Sequence, residues 1–389
     1  MRILHIIYDD IDNPWLGGGG ATRTLEIYSR IARQEHNVTV LCGNYRGAPR
    51  QHIRQGVTYR HIGSRHSYTV SRITFALMMP FLLKRGGYDI VIEDVSPFSP
   101  VGVPLWNRRV PSVASVQNLS GRHALRKYGL LGLLPRLVER PLLSLFRNFV
   151  AVSPGIAREL RSLHGKHANV RVIPNSAALA FSRGEGEIEQ ASNKRYILFL
   201  GRIDIYQKGL DILFEAFSRV AAQLPDVRLI IAGNGTEQQL TKLTSLVAKS
   251  KYKDKIELLG QVDQEEAARL MRSALMLAMP SRYEAWPLTA IEAGAAGIPV
   301  VGFDILGVRD AAPPFPIGHG LLVIAGDINA LTEQITKVAT EPKTRHDLAD
   351  KGRSWAARFS WDALAAEQLA FYEELVQGGR SKRNIGWQT

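Results

Sequence analysis

Cysteine is nearly absent from the chain. With Cys42 alone there can be no disulfide framework, and a reducing compartment suits it. Long apolar runs are missing too: Arg, Lys, Pro or Gly interrupts each one well short of the ~20 residues a membrane-spanning helix needs. The start, Met1-Arg2-Ile3, opens into a strand pattern rather than a secretion signal, so a cytoplasmic location is expected. Acidic residues are scarce in one half only. Residues 1–180 hold 24 Lys+Arg against 10 Asp+Glu, whereas residues 181–389 hold 25 against 26, so the net charge of +13 belongs to the first half. That half is expected to face something anionic: nucleic acid, an anionic membrane surface or an acidic substrate.

What is present is ample apolar material, 45% of 389 residues, enough for two or three cores. Short apolar runs alternate with helical spacing. In the first half they are Arg2–Tyr8, Val38–Cys42, Val57–His61, Ile90–Glu93, Val113–Gln117, Phe149–Val152 and Val170–Ile173. A second series begins at Tyr196–Leu200 and continues with a helix over Leu210–Gln223 and strands at Val227–Ala232, Ile256–Leu259 and Ala274–Met279. Gly297–Val301 is expected to be a further strand. Alternation of this kind builds parallel, doubly wound sheets. The predicted architecture is therefore α/β, with two doubly wound Rossmann-like domains facing a central cleft. They would span residues 1–175 and 195–360, joined by a linker over 176–194.

The most informative stretch is Ser281-Arg-Tyr-Glu-Ala-Trp-Pro-Leu-Thr-Ala-Ile-Glu-Ala293. It reads as a loop entering a crossover helix, with Pro287 at the first helical position. The amides of Leu288, Thr289 and Ala290 would then be unbonded at the positive end of the helix dipole, an anion site. Two carboxylates frame it: Glu284 before the helix and Glu292 a turn and a half inside, roughly 7.5 Å further along. Such a pair can hold hydroxyls of two parts of one ligand while the amides hold its phosphates. Arg202 and Lys208, in the loop after the first strand of the second series, could neutralise a diphosphate beside that helix mouth.

In the first half, Gly17–Gly20 follows a strand and precedes a helix over Ala21–Arg33, whose apolar face is expected to carry Leu25, Tyr28, Ile31 and Ala32. Glycine there lets the backbone approach a phosphate or sugar closely. The Asp9, Asp10 and Asp12 cluster reads as a solvated loop rather than a metal site. Ligands gather at the carboxyl ends of parallel strands, which draws attention to Glu93-Asp94 and Gln117-Asn118. Residues 122–148 form a basic, amphipathic stretch (Arg122, Arg126, Lys127, Arg136, Arg140 and Arg147, with Glu139 the one acid) of the kind that lies on anionic bilayers. Stacking aromatics are few there, which disfavours nucleic acid.

Gly201-Arg202 with Lys208-Gly209, Glu284 through Glu292, the following Ala293-Gly-Ala-Ala-Gly297-Ile-Pro-Val, Gly233-Asn-Gly235, Gly318-His-Gly-Leu-Leu322 and the glycine loop resemble the retaining GT-B glycosyltransferases of the family 4 type. That large family includes glycogen-synthase-like and phosphatidylinositol-mannosyltransferase-like enzymes. The resemblance covers nearly the whole chain. It implies a hexosyl transfer from a UDP- or GDP-linked sugar to an acceptor hydroxyl, with no cofactor and no metal.

Arg202, Lys208 and Glu284 are implied as catalytic residues. Gly18, Gly19, Gly233, Leu288, Thr289 and Glu292 join them in holding the donor, Glu292 on the ribose and Glu284 on the transferred sugar. Pro287, where the family often has Gly, offers no amide. Asp94, Gln117 and Asn118 are acceptor-side candidates; many relatives have His-Asp where this chain has Gln117-Asn118, and neither amide can act as a base. The resemblance also implies that the C-terminal stretch, about 361–389, crosses back onto the first domain.

The expected partners are a sugar nucleotide and a glycan or lipid-linked glycan, met on the inner face of the cell membrane through residues 122–148. A glycosyltransferase for a soluble small molecule is the alternative. A nucleotide-sugar epimerase, a phosphorylase (which would need a pyridoxal-binding lysine) and a non-catalytic basic binding protein explain less. None of these accounts for the Arg, Lys and paired Glu together.

Overall fold

The computed structural model describes residues 1–15, 18–84, 86–119, 129–178, 181 and 195–385. The chain divides into two compact units, Met1–Asn175 with the segment from Trp361 onward, and Ser176–Ser360. The expected linker lies outside the described residues from 179 to 194, apart from Phe181.

The first unit is built from β1 (Arg2–Ile6), α1 (Gly19–Ala32), β2 (Asn37–Gly43), β3 (Gln51–Arg54), β4 (Val57–Ile62), α2 (Tyr68–Lys84), β5 (Ile90–Asp94), α3 (Val103–Trp106), β6 (Ser112–Val116), α4 (Leu133–Ser144), β7 (Asn148–Ala151), α5 (Pro154–His164) and β8 (Asn169–Val172). Its strands run in the order β3-β4-β2-β1-β5-β6-β7-β8. All neighbours are parallel except β3 and β4, a hairpin absent from the sequence expectation. Its turn, Gln55-Gly56, takes positive φ at both residues, which matches the twist of the strands it joins. The central strands are buried on both faces, as their unbroken apolar runs require.

The second unit contains β9 (Tyr196–Leu200), α6 (Leu210–Gln223), β10 (Arg228–Ala232), α7 (Glu237–Lys249), β11 (Ile256–Gly260), α8 (Gln264–Ser273), β12 (Met276–Met279), α9 (Leu288–Ala296), β13 (Val300–Phe303), α10 (Leu306–Ala311), β14 (Gly320–Val323), α11 (Ile328–Thr340) and α12 (Pro342–Ala356). Its parallel sheet has the order β11-β10-β9-β12-β13-β14. Strand order reverses between β9 and β12 here, and between β1 and β5 in the first unit. In such sheets that crevice at the carboxyl edge is where ligands bind.

Three local expectations need correction. Gly297 does not start a strand; its φ of 71° makes it the left-handed cap that ends α9, and β13 begins only at Val300. Pro287 precedes α9 as its N-cap, with extended ψ of 112°, instead of occupying the first helical position. On α1 the buried face carries Ala21, Thr24, Ile27, Tyr28 and Ile31, while Leu25 and Ala32 are only part-buried. A 3.6-residue period allows either face; the sheet beneath chose.

The C-terminal helix α13 (Trp361–Ile385) packs on the first unit, adding Trp361, Leu364, Ala365, Leu369, Phe371 and Tyr372 to its core. One buried side chain holds it there. Arg23 Nη1 donates to the carbonyls of Ile173 and Pro174, 2.9 Å each, and to Asn175 Oδ1 at 2.8 Å; Nη2 donates to Gln368 Oε1 at 2.6 Å. Gln368 Nε2 in turn reaches the Tyr372 hydroxyl, which meets that of Tyr28. Arg23 thereby ties the end of the first stretch of the unit to the helix that returns to it. Replacing Arg23 with Met leaves buried carbonyls without donors. A loss of about 3 kcal/mol in urea denaturation is expected.

Candidate functional site

In the second unit the site grows from two neighbouring strands. β9 and β12 are adjacent, so the loops leaving their carboxyl ends, 201–209 and 280–287, lie side by side. Backbone and side chains lock them together. Arg282 N–H donates to the Gln207 carbonyl at 2.9 Å, and the Arg282 guanidinium bonds the Tyr206 carbonyl and both oxygens of Asp211 while lying 4.6 Å over the Tyr206 ring. Gly209, with φ of 66°, is indispensable: a Cβ there would sit 2.0 Å from the Pro280 carbonyl oxygen. Gly233 meets the same constraint after β10, since its Cβ would come within 1.8 Å of the Gly201 carbonyl oxygen.

This packing brings Lys208 and Glu284 together. Lys208 Nζ donates to Glu284 Oε1 at 2.6 Å, and the Ser281 hydroxyl donates to the same oxygen at 2.9 Å. Both side chains are largely buried, 16% and 9% exposed, so the pair is shielded from water and its charges act strongly on anything that enters. Arg202, on the same loop as Lys208, is exposed; its Nη2 donates to Gln207 Oε1 at 3.2 Å.

The mouth of α9 is narrower than expected. Leu288 and Thr289 head the helix, but the Ala290 amide donates to the Pro287 carbonyl at 3.1 Å in a tight first turn, so it is not an open anion donor. Glu292 is part-buried and, among the described residues, has no hydrogen-bonding or ionic partner. Burial pushes its carboxyl up to about 7. His319 underlies this helix, with Nε2 bonded to the Ala290 carbonyl at 2.8 Å; burial lowers it to about 4, so it is a neutral prop.

The candidates of the first unit fare variously. Gly18 caps α1, with its N–H bonded to Asp9 Oδ2 at 3.1 Å, and Gly19 begins the helix; Gly17 lies outside the described residues. Glu93 is structural, a correction to its place among the strand tips where ligands gather. It is buried and accepts the amides of Val101, Gly102 and Val103, fixing the start of α3. The acidic loop is not simply solvated either: Asp10 is buried, accepting from His61 Nε2 at 3.0 Å and from the Tyr45 hydroxyl, and Asp12 pairs with Arg54. Burial alone would raise the Asp10 carboxyl, but His61, the Ile11 amide and the Arg54 charge hold it below the ordinary range.

Asp94 accepts from Ser115 Oγ at 3.3 Å and from Gln117 Nε2 at 3.4 Å, so Asp94 and Gln117 do meet, and Asn118 follows on the exposed side. Around them His5, Arg23, Thr24, Tyr28 and Gln368 line a small polar cavity. Ser281, Arg282 and Asp211 had no role in the sequence expectation. Ser281 lies three residues from Glu284 and could have been suspected; Asp211 reaches Arg282 only through the sheet.

Residues 17–180 match the family described as Glycosyltransferase Family 4, and residues 185–355 match Glycosyl transferases group 1. Phosphatidyl-myo-inositol mannosyltransferase from Mycobacterium leprae is 33% identical over 184 residues, 47% of each chain. The match spans about half the length of this and similar curated relatives. Sucrose-phosphate synthase from Thermosynechococcus elongatus superposes with a TM-score of 0.84 at 21% identity, covering 97% of this chain and 99% of that one. Anabaena HepE, solved with UDP and glucose, gives 0.74 at 15% identity, covering 96% and 100%. The chain belongs to the GT-B glycosyltransferases of the family 4 type.

Asp94 provides a pH test. Burial pushes its carboxyl from 3.8 to about 7, against the Arg23 charge and the two side-chain hydrogen bonds, so the folded protein keeps a proton that the unfolded chain releases. Its contribution to stability is therefore complete below about pH 4 and lost as pH rises through about 7. In urea denaturation across that window, Asp94→Asn should fall away less than wild type, the gap widening with pH.

Proposed function

We propose that the protein is a retaining hexosyltransferase that takes a sugar from a nucleoside diphosphate and gives it to the hydroxyl of a lipid-linked or membrane-associated glycan. The observation that carries this reading is the shielded Lys208–Glu284 pair beside the mouth of α9 at the strand-order reversal. An entering diphosphate would draw Lys208 off Glu284. The carboxylate, still held by Ser281, is then free to accept hydroxyls of the transferred sugar. Arg202 adds a second cation, Leu288 and Thr289 offer first-turn amides, and Glu292 takes the ribose hydroxyls.

In the reaction the bond from the sugar's anomeric carbon to the phosphate oxygen breaks, and a bond to the acceptor oxygen forms on the same face. The acceptor proton passes to the departing phosphate oxygen, so no protein base is required, consistent with amides at Gln117 and Asn118. Catalysis then rests on stabilising the charge of the leaving diphosphate. UDP binding by HepE and the lipid acceptor in the name of the mycobacterial relative support the two halves of this reading.

The acceptor would be met at the cytoplasmic face of an anionic bilayer, with the protein peripheral to it. No helix among the described residues is long and apolar enough to cross a membrane. Of the basic stretch 122–148, residues 122–128 lie outside the described residues. The remainder exposes Leu130, Leu133 and Leu137 on one side of α4 and the turn before it, with Arg140 exposed as well. Exposed leucines at helical spacing beside cations suit insertion among anionic headgroups.

Three measurements test this. A thermal-shift screen with UDP, GDP and their sugars should find stabilisation by one nucleotide. With that donor, Lys208→Ala should lower kcat by about 100-fold or more, and Asn118→Ala by less; equal turnover in wild type and Lys208→Ala refutes the donor site. Changing Leu130, Leu133 and Leu137 to Ser should leave folding within about 0.5 kcal/mol while reducing co-sedimentation with anionic vesicles. Undiminished co-sedimentation removes the membrane role of this surface.

A further inference from the structure

The carboxyl edge of the first sheet carries a second constellation that the proposed donor chemistry does not use. It lies where strand order reverses between β1 and β5. The chain leaving β1 contributes Tyr8 and Trp15, the chain leaving β5 contributes Ser96, Phe98 and Ser99, and the first turns of α2 contribute Tyr68 and Arg72. The Arg72 guanidinium lies 4.7 Å from the centre of the Tyr8 ring, 5.2 Å from Tyr68 and 5.4 Å from Phe98. It donates to Ser96 Oγ at 2.8 Å, to Ser99 Oγ at 3.2 Å and to the Tyr68 hydroxyl. Its Nε is buried without a hydrogen-bond partner.

Arg72 contrasts with Arg23, a buried arginine of the same unit, which donates to two backbone carbonyls and two side-chain amide oxygens. Among the described residues no carboxylate reaches Arg72. Asp9, next to Tyr8, uses its two oxygens on the amides of Asp10 and Gly18. Among the described residues, each oxygen to which Arg72 donates belongs to a hydroxyl, which can accept from the guanidinium and still turn its own proton toward an anion. The rings are not sealed in: Tyr68 and Phe98 are 36% and 38% exposed, and Trp15 packs edge-on against Tyr68 at 5.9 Å. A guanidinium that no carboxylate reaches among the described residues, three hydroxyls and part-exposed aromatic rings at a sheet's ligand edge form a receptor suited to an anion.

We propose that Arg72, Tyr68, Ser96 and Ser99 bind a phosphate ester on the acceptor, and that Trp15 and Phe98 stack against the ring that carries it. A phosphate suits the site because its several oxygens match the guanidinium fork and the hydroxyls together, where a carboxylate offers two. The proposal rests on the glycosyltransferase reading for the word acceptor, but the binding itself does not need the donor site. The phosphate ester can come from a soluble sugar phosphate or from a phospholipid headgroup.

The test uses the full chain. Glucose 6-phosphate, glucose and inorganic phosphate are titrated by calorimetry against wild type, Arg72→Gln, Arg72→Lys and Phe98→Ala, with UDP titrated in parallel. Vesicles bearing phosphatidylinositol or, at equal charge, phosphatidylglycerol form the second arm. Arg72→Gln is expected to weaken either glucose 6-phosphate or the preference for phosphatidylinositol by about 10-fold or more. Arg72→Lys should recover some of the loss, and Phe98→Ala should weaken the sugar phosphate but not inorganic phosphate. Whichever arm responds identifies the source.

UDP affinity should be the same in all four proteins, which also certifies their folding. Binding of both probes that is indifferent to Arg72→Gln overturns the proposal, as does a wild type that binds neither. Loss of UDP binding with Arg72-dependent phosphate binding intact would refute the donor site and leave this one standing.

Discussion

Parallel strands place all their carboxyl ends on one edge of a sheet, and a reversal of strand order leaves two neighbouring loops with no crossover helix packed between them. Each unit of this protein follows that constraint. In the second unit the loops after β9 and β12 meet across Gly209, which has no room for a side chain. In the first, the turns after β1 and β5 meet around Arg72, while Asp94 at the tip of β5 bonds to Ser115 and Gln117. The chemistry of both edges follows from what the sheet forces into proximity.

Proximity has an energetic cost that the structure meets in different ways. Lys208 and Glu284 are withdrawn from water, and each would be strained without the other; Ser281 supplies a further hydrogen bond. Burial raises the Glu292 and Asp94 carboxyls to about 7, in Asp94 against the opposing charge of Arg23. Such groups change charge near neutral pH, which suits contact with sugar hydroxyls as donor or acceptor. Burial raises Glu93 too, but its oxygens are occupied by the amides that start α3, and Asp10 is held below the ordinary range by His61. A carboxylate at a strand tip is thus no indicator of function until its partners are known.

The returning helix α13 shows how a distant segment can complete a unit. Trp361, Leu364 and Tyr372 belong to the first core although nearly two hundred residues separate them from β8, and Arg23 joins that core to the chain's exit at Ile173 to Asn175. Between those two points the chain builds the whole second unit.

Periodicity and composition alone were enough to indicate two parallel sheets, most strand positions and the basic first half, and they drew attention to Lys208 and Glu284, which the structure pairs. Apolar runs and helical spacing are local properties, and the side chains that carry charge at a ligand edge are few enough to notice. Tertiary structure decided what depends on neighbours far away in the chain. It set which face of α1 is buried, where β13 begins, that Ala290 closes the first turn of α9, that Glu93 accepts the amides that start α3, and that Arg72 stands among rings with no acid in reach among the described residues. Burial and partnership are properties of pairs of residues, and the sheets bring those pairs together across gaps that no local pattern spans.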